Sequence, residues 1–182
     1  MKSLQLEKPH VIVVIGIRGS GKTFFASKFA ETFNAPLIEQ EFYTSNAKDA
    51  RSANELLHRT ASELYKTGRS VVFEQTLSTR TERAEVAKEA REHGYVPLFV
   101  WVQTDLDTAM SRSAKTNGMN QDDFNASLKR FGQPHATERA LVISGKHTFA
   151  TQAKAVLKKL SAPRNVVQPE RRQPARGQII VR

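Results

Sequence analysis

Val11-Ile12-Val13-Val14-Ile15 is a continuous β-branched run, the pattern of a strand buried on both faces of a parallel sheet rather than one with a wet side. A glycine-rich stretch follows at once, and then Phe24, Phe25, Phe29 and Phe33 recur at helical spacing, which predicts a helix over Lys22–Phe33. Apolar segments at 35–39, 70–73, 96–102 and 140–144 predict four further strands. Helices are predicted between and after them. One covers 46–67, with Leu56, Leu57 and Leu64 at helical intervals and Gly68 as its C-cap. Others cover 80–93, ending at Gly94, then 105–115, broken by Asn117-Gly118, then 121–131 and 147–160. Strands and helices alternate about five times, which predicts an α/β fold with a parallel sheet and right-handed crossovers.

The periodicity stops after Leu160. Pro163, Pro169, Pro174 and scattered arginines make 161–182 read as an extended or disordered tail, with Ile179, Ile180 and Val181 apolar enough to dock on a sheet edge. Residues 1–160 are expected to form one domain, the chain of 182 residues being long enough for one α/β core and short for two. The net charge is +10 and favours anionic partners; the tail, with five arginines against one glutamate, carries +4 of it. Weak nucleic-acid contact through the tail is one reading, and a solubilising role is the other. No apolar run approaches the roughly 20 residues of a membrane span, and the first residues hold no apolar signal core, so a cytoplasmic location is expected. The absence of cysteine excludes disulfides and thiolate metal sites. His10, His58, His93, His135 and His147 are scattered without metal-ligand spacing.

The most specific chemistry lies at Gly16-Ile17-Arg18-Gly19-Ser20-Gly21-Lys22-Thr23, which fits G-x-x-x-x-G-K-[ST] with a strand before it and a helix after it. The glycines let successive backbone N–H groups close on phosphate oxygens. The following helix points the positive end of its dipole at the same anion. Lys22 supplies a mobile charge for the β- and γ-phosphates, and Thr23 a hydroxyl ligand for Mg²⁺. Gly16, Arg18, Gly19, Ser20, Gly21, Lys22 and Thr23 are therefore the expected nucleotide-binding residues, with ATP and Mg²⁺ as cofactors.

Two carboxylates follow predicted strands, at the edge where α/β sheets bind ligands. Glu74 follows Val71-Val72-Phe73 and can hold Mg²⁺ through water; Glu41 follows Pro36-Leu37-Ile38, with Glu39 just before it. Either can accept the proton of an attacking hydroxyl. Arg112 and Lys115 lie one helical turn apart before Asn117-Gly118, where cations on a mobile segment could close over a γ-phosphate. Arg80 and Arg83 open a predicted helix, the end at which its dipole disfavours cations. Their position hints at an anion nearby, such as an acceptor.

From the glycine loop to about residue 160 the chain resembles the small P-loop kinases of the AAA_33 and zeta-toxin-like group, which includes polynucleotide 5′-hydroxyl kinase domains and gluconate-kinase-like enzymes. The resemblance rests on Val71 to Ser78, on Arg83 with Ala87, Ala90 and Gly94, and on Leu98 to Val102 followed by Arg112. It also rests on Lys129-Arg130-Phe131 with Pro134 and Glu138, and on Ile143-Ser144-Gly145. It implies a three-layer P-loop NTPase fold with a five-stranded parallel sheet in the order 2-3-1-4-5 and a short lid over about 112–138. It also implies a phosphotransferase using ATP–Mg²⁺ and an alcohol acceptor. The chain departs from the group's pattern at Glu41 and Glu74, where Asp is usual, at Thr44, where an arginine often stands, and at Lys115, the nearest cation to the lid's second arginine. In the kinase reading, Lys22 and Arg112 hold the transferring phosphate, Thr23 with Glu74 holds Mg²⁺, and Glu41 is the general base. The acceptor in that reading is a nucleoside, a nucleic-acid 5′-hydroxyl, a sugar or a UDP-sugar of the zeta-toxin type. The alternative is a nucleotide-dependent switch that binds RNA or a protein partner without transfer.

Overall fold

The sheet is built outward from β1 (His10–Ile15), whose residues 11–15 are completely buried. In this computed structural model, which describes residue 4 and residues 6–162, β1 pairs in parallel with β3 (Val71–Glu74) on one side and β4 (Val96–Gln103) on the other. The outer strands are β2 (Leu37–Glu39) and β5 (Leu141–Ser144), giving the order β2-β3-β1-β4-β5. Pro97 lies in β4 without breaking a ladder, because β5 pairs with β4 only from Val100 onward and leaves that side open at Pro97.

Alternating residues of β1 feed two cores, and for this reason the strand has no polar position. Ile12 and Val14 pack with Phe25 and Phe29 of α1 (Lys22–Phe33) and with Val156 of α7 (Phe149–Leu160). Val11, Val13 and Ile15 pack with Leu57, Ala61 and Tyr65 of α3 (Ala50–Tyr65) and with Ala87 and Ala90 of α4 (Arg80–Glu92). The helices thus cover both faces, and the strand order and three-layer form are those the resemblance implied.

Local chemistry sets the helix ends. Thr79 and Glu82 form a reciprocal capping box at α4. Asp49, Asp105, Asn120 and Thr148 cap α3, α5 (Leu106–Asn117), α6 (Gln121–Arg130) and α7. The helix expected over 46–67 is α3, started by Asp49 accepting from the Ser52 N–H, and a short α2 (Gln40–Asn46) that was not expected precedes it. A 3₁₀ turn at Ala136–Glu138 was also not expected. The tail from 163 and its apolar end at 179–181 lie outside the described residues. No helix among those described is long and apolar enough to cross a membrane.

Candidate active site

The loop between β1 and α1 holds Gly16, Gly19 and Gly21 at φ of +152°, +73° and +98°, where a side chain is strained. Space is as restrictive as torsion at Gly19. A Cβ there would collide with the Ala109 carbonyl oxygen and come within 2.7 Å of Ser113 Oγ, both on α5. With Gly21 in the N-cap position of α1, no side chain accepts from the first turn's N–H groups. The Ser20 hydroxyl is buried without a hydrogen-bond partner. A cradle of free donors at a helix N-terminus fits an anion of several oxygens.

The loop opens onto a cleft of about 280 Å³ lined by Arg18, Gly19, Lys22, Thr23, Glu41 and Glu74, with Gln40, Thr44, Ser45 and Thr76 completing the wall. Lys22, only 9% exposed, places Nζ 3.7 Å from Glu74 Oε1 and 3.4 Å from the Ile17 carbonyl. Burial pulls the Lys22 ammonium below its usual pKa and pushes the Glu74 carboxyl above its own; the attraction between them opposes both shifts. The charge of Glu41 acts on both groups, supporting the Lys22 cation and disfavouring the Glu74 anion. Thr23 Oγ1 donates to Glu74 Oε1 at 3.4 Å, so two hard oxygen ligands of the type Mg²⁺ takes lie side by side. Among the described residues no cluster of three or more His, Cys, Asp or Glu could bind a metal by itself.

Gln40 and Ser45 were not read from the sequence because α2 was not, and Thr44 was read only as a departure from the group's pattern. Gln40 ties that helix to the loop after β3, its Oε1 accepting from the Thr76 N–H at 2.8 Å. The available signal was the i, i+3, i+4 spacing of Glu41, Thr44 and Ser45, which puts all three on one helical face.

Arg112 reaches the loop from α5. Its Nη1 donates to the Gly145 carbonyl at 3.1 Å and lies 3.9 Å from where a Cβ on Gly21 would be. Lys115 is exposed one turn further on and does not line the cleft. Gly145 follows β5, and its N–H donates to the Gln103 carbonyl at 2.6 Å; a Cβ on it would run into the Ser20 carbonyl oxygen.

The anion that Arg80 and Arg83 hinted at is the protein's own Glu138. Arg83 is 1% exposed, and its Nε and Nη2 donate to the two Glu138 oxygens at 2.6 and 3.1 Å. Its Nη1 donates to the Leu77 and Gly132 carbonyls at 2.9 and 3.0 Å. Four of its five N–H donors are thus engaged within the protein, so Arg83 is a clamp between the loop after β3 and the chain after α6. Arg80 is exposed and donates to Thr137 Oγ1 at 3.3 Å.

A parallel sheet ordered 2-3-1-4-5 with a glycine-lysine loop after its central strand defines a P-loop NTPase of the small kinase-like form. The AAA_33 family, described as an AAA domain, matches residues 11–141, and the chain belongs to it. No curated protein matches the chain. Among solved structures, a gluconokinase from Sinorhizobium meliloti is similar at 20% identity, covering 84% of this chain and 91% of that one with a TM-score of 0.64. The APS kinase of Mycobacterium tuberculosis, in complex with AMPPNP and APS, is similar at 16% identity, 85% and 99% coverage and a TM-score of 0.68. A sugar kinase from Janibacter has 17% identity, 82% and 93% coverage and a TM-score of 0.62. These likenesses show a shared fold.

Proposed function

We propose that the chain is an ATP-dependent phosphotransferase that moves the γ-phosphate of ATP–Mg²⁺ to a hydroxyl acceptor. The observation that carries this reading is that one cleft unites Lys22, Thr23 and Glu74 with Glu41 on the facing helix α2. A phosphate-holding group thus shares its cleft with a carboxylate from a separate element. The neighbour solved with AMPPNP supports ATP as the nucleotide.

In this reading the backbone donors of 16–23 and Lys22 hold the β- and γ-phosphates. The acceptor hydroxyl gives its proton to Glu41 as its oxygen bonds to the γ-phosphorus. The bond from that phosphorus to the β–γ bridging oxygen breaks, and ADP leaves. Arg112 offsets charge on the moving phosphoryl group, and residues 112–138 act as the lid that carries it. Thr23 and Glu74 would hold Mg²⁺, which would supply charge neutralisation to the phosphates.

Glu41→Gln keeps the shape of the side chain and removes the proton acceptor. It is expected to lower single-turnover transfer about 10²–10⁴-fold while ATP affinity stays within about twofold. Equal loss of affinity and rate would remove Glu41 from the role of base. Nucleotide binding has its own readout. ATP–Mg²⁺ at about 100 times Kd stabilises the fold by about 2.7 kcal/mol, or about 5–10 °C in Tm for a chain of this size. Lys22→Ala is expected to abolish that rise. A Lys22→Ala protein still stabilised by ATP would contradict the assignment of the cradle.

A further inference from the structure

A second cavity, of about 510 Å³, lies between α6 and the C-terminal ends of β4 and β5, within the size range of small-molecule sites. Its apolar wall is Trp101, Leu128, Phe131 and Val142, and its polar rim includes the amides of Gln103 and Gln133. Trp101 and Val142 are register partners on neighbouring strands, and Val142 is 48% exposed. The Trp101 and Phe131 rings stand 6.4 Å apart at 43°.

Three features define what would fit. The aromatic and branched side chains offer a flat group something to stack on. The two amides each present a donor and an acceptor, the pairing that reads a heterocycle's edge. The cation at the rim is already neutralised: Lys146 Nζ lies 2.5 Å from Asp105 Oδ2, and that partner holds the Asp105 carboxyl far below its usual range. The cavity therefore suits a neutral planar group better than an acid or a polyol. It also adjoins the cleft, because Ile17 lines the cavity and Arg18, the next residue, lines the cleft.

We propose that this cavity holds the base of a nucleoside-type acceptor, whose hydroxyl reaches past Arg18 to the γ-phosphate. The inference rests on the phosphotransferase reading for the hydroxyl, but base binding stands apart from transfer and can be measured alone. The donor nucleotide's own base is the competing source, and the test separates the two.

Trp101 is the single tryptophan of the chain, so its fluorescence reports on the cavity directly. Nucleosides and a 5′-hydroxyl dinucleotide would be titrated with and without saturating AMPPNP–Mg²⁺. Gluconate and inorganic tripolyphosphate would be titrated alongside. Saturable quenching by a nucleoside or the dinucleotide is expected, persisting with AMPPNP bound, and neither gluconate nor tripolyphosphate should reproduce it. Val142→Arg, at a half-exposed position that tolerates the change, should weaken that binding at least about tenfold, as loss of a base stack does. It should raise the KM for a nucleoside acceptor without raising that for ATP. Gln133→Ala, a rim change outside the apolar core, should weaken binding in the same direction. Quenching by AMPPNP that abolishes nucleoside binding would assign the cavity to the donor and overturn the proposal. Phosphate transfer to gluconate with no nucleoside response would overturn it while leaving the phosphotransferase reading intact. Nucleoside binding without any transfer would do the reverse.

Discussion

Glu138→Ala is expected to cost about 3–5 kcal/mol of stability, the range for removing one partner of a buried ion pair. The guanidinium of Arg83 is 1% exposed, so without Glu138 it is left as an uncompensated charge in the interior. The loss is about 6–20 °C in Tm for a chain of this size, measurable by calorimetry. The consequences extend toward the cleft. Arg83 also holds the Leu77 carbonyl, Leu77 sits at φ +36°, and the loop it belongs to carries Thr76 of the cleft wall. The same pair gives a pH signature. Hydrogen bonding from Arg83 holds the Glu138 carboxyl below its usual value of 4.5, so the folded protein favours the anion more than the unfolded chain does. That contribution is fully present above about pH 4.5 and is lost as pH falls through the lowered value. A Glu138→Gln protein should therefore lose less Tm than the parent when pH drops from 5 to 3. Identical slopes would mean that the pair adds nothing to acid sensitivity.

Gly145→Ala is the second large effect, and it should strike function harder than stability. The added methyl meets the Ser20 carbonyl oxygen inside the phosphate loop, and neither backbone segment can turn aside. Gly145 is also held by Gln103 through its N–H and by Arg112 through its carbonyl, so the strain passes to the loop. Overpacking of this kind costs about 1–3 kcal/mol. A displacement of about 1 Å at the phosphates costs about 10²-fold in turnover. Gly132→Ala, whose Cβ would meet nothing closer than 3.4 Å, is the control and should keep its turnover. Full activity in the Gly145→Ala protein would show that the phosphate loop does not depend on the turn after β5.

Most of the fold was legible because its signals are local. The β-branched run of β1 needs no partner to be recognised, and the spacing of three glycines with Lys22 and Thr23 carries its own mechanism. What escaped was set by contacts far along the chain. Helix α2 buries none of its residues, and Phe42 on it is 62% exposed, so no apolar face marked it. Gln40 and Ser45 went unread with it. Arg83 at the start of α4 was read, with Arg80, as hinting at an acceptor anion. The anion, however, is a glutamate 55 residues away, which spacing within a helix cannot reveal. The cavity at Trp101 depends on the β4–β5 register and on where α6 crosses it, and neither is written in either segment alone.

The central claim is that the cleft transfers phosphate. The most direct measurement is to incubate the protein with γ-labelled ATP, Mg²⁺ and separate nucleoside, 5′-hydroxyl oligonucleotide and sugar acceptors, and to follow where the label goes. Label bound covalently to an acceptor hydroxyl, and absent from it with the Lys22→Ala protein, is the predicted result. Label released only as inorganic phosphate, equally with and without acceptors, would contradict it and make the chain a nucleotide-hydrolysing protein.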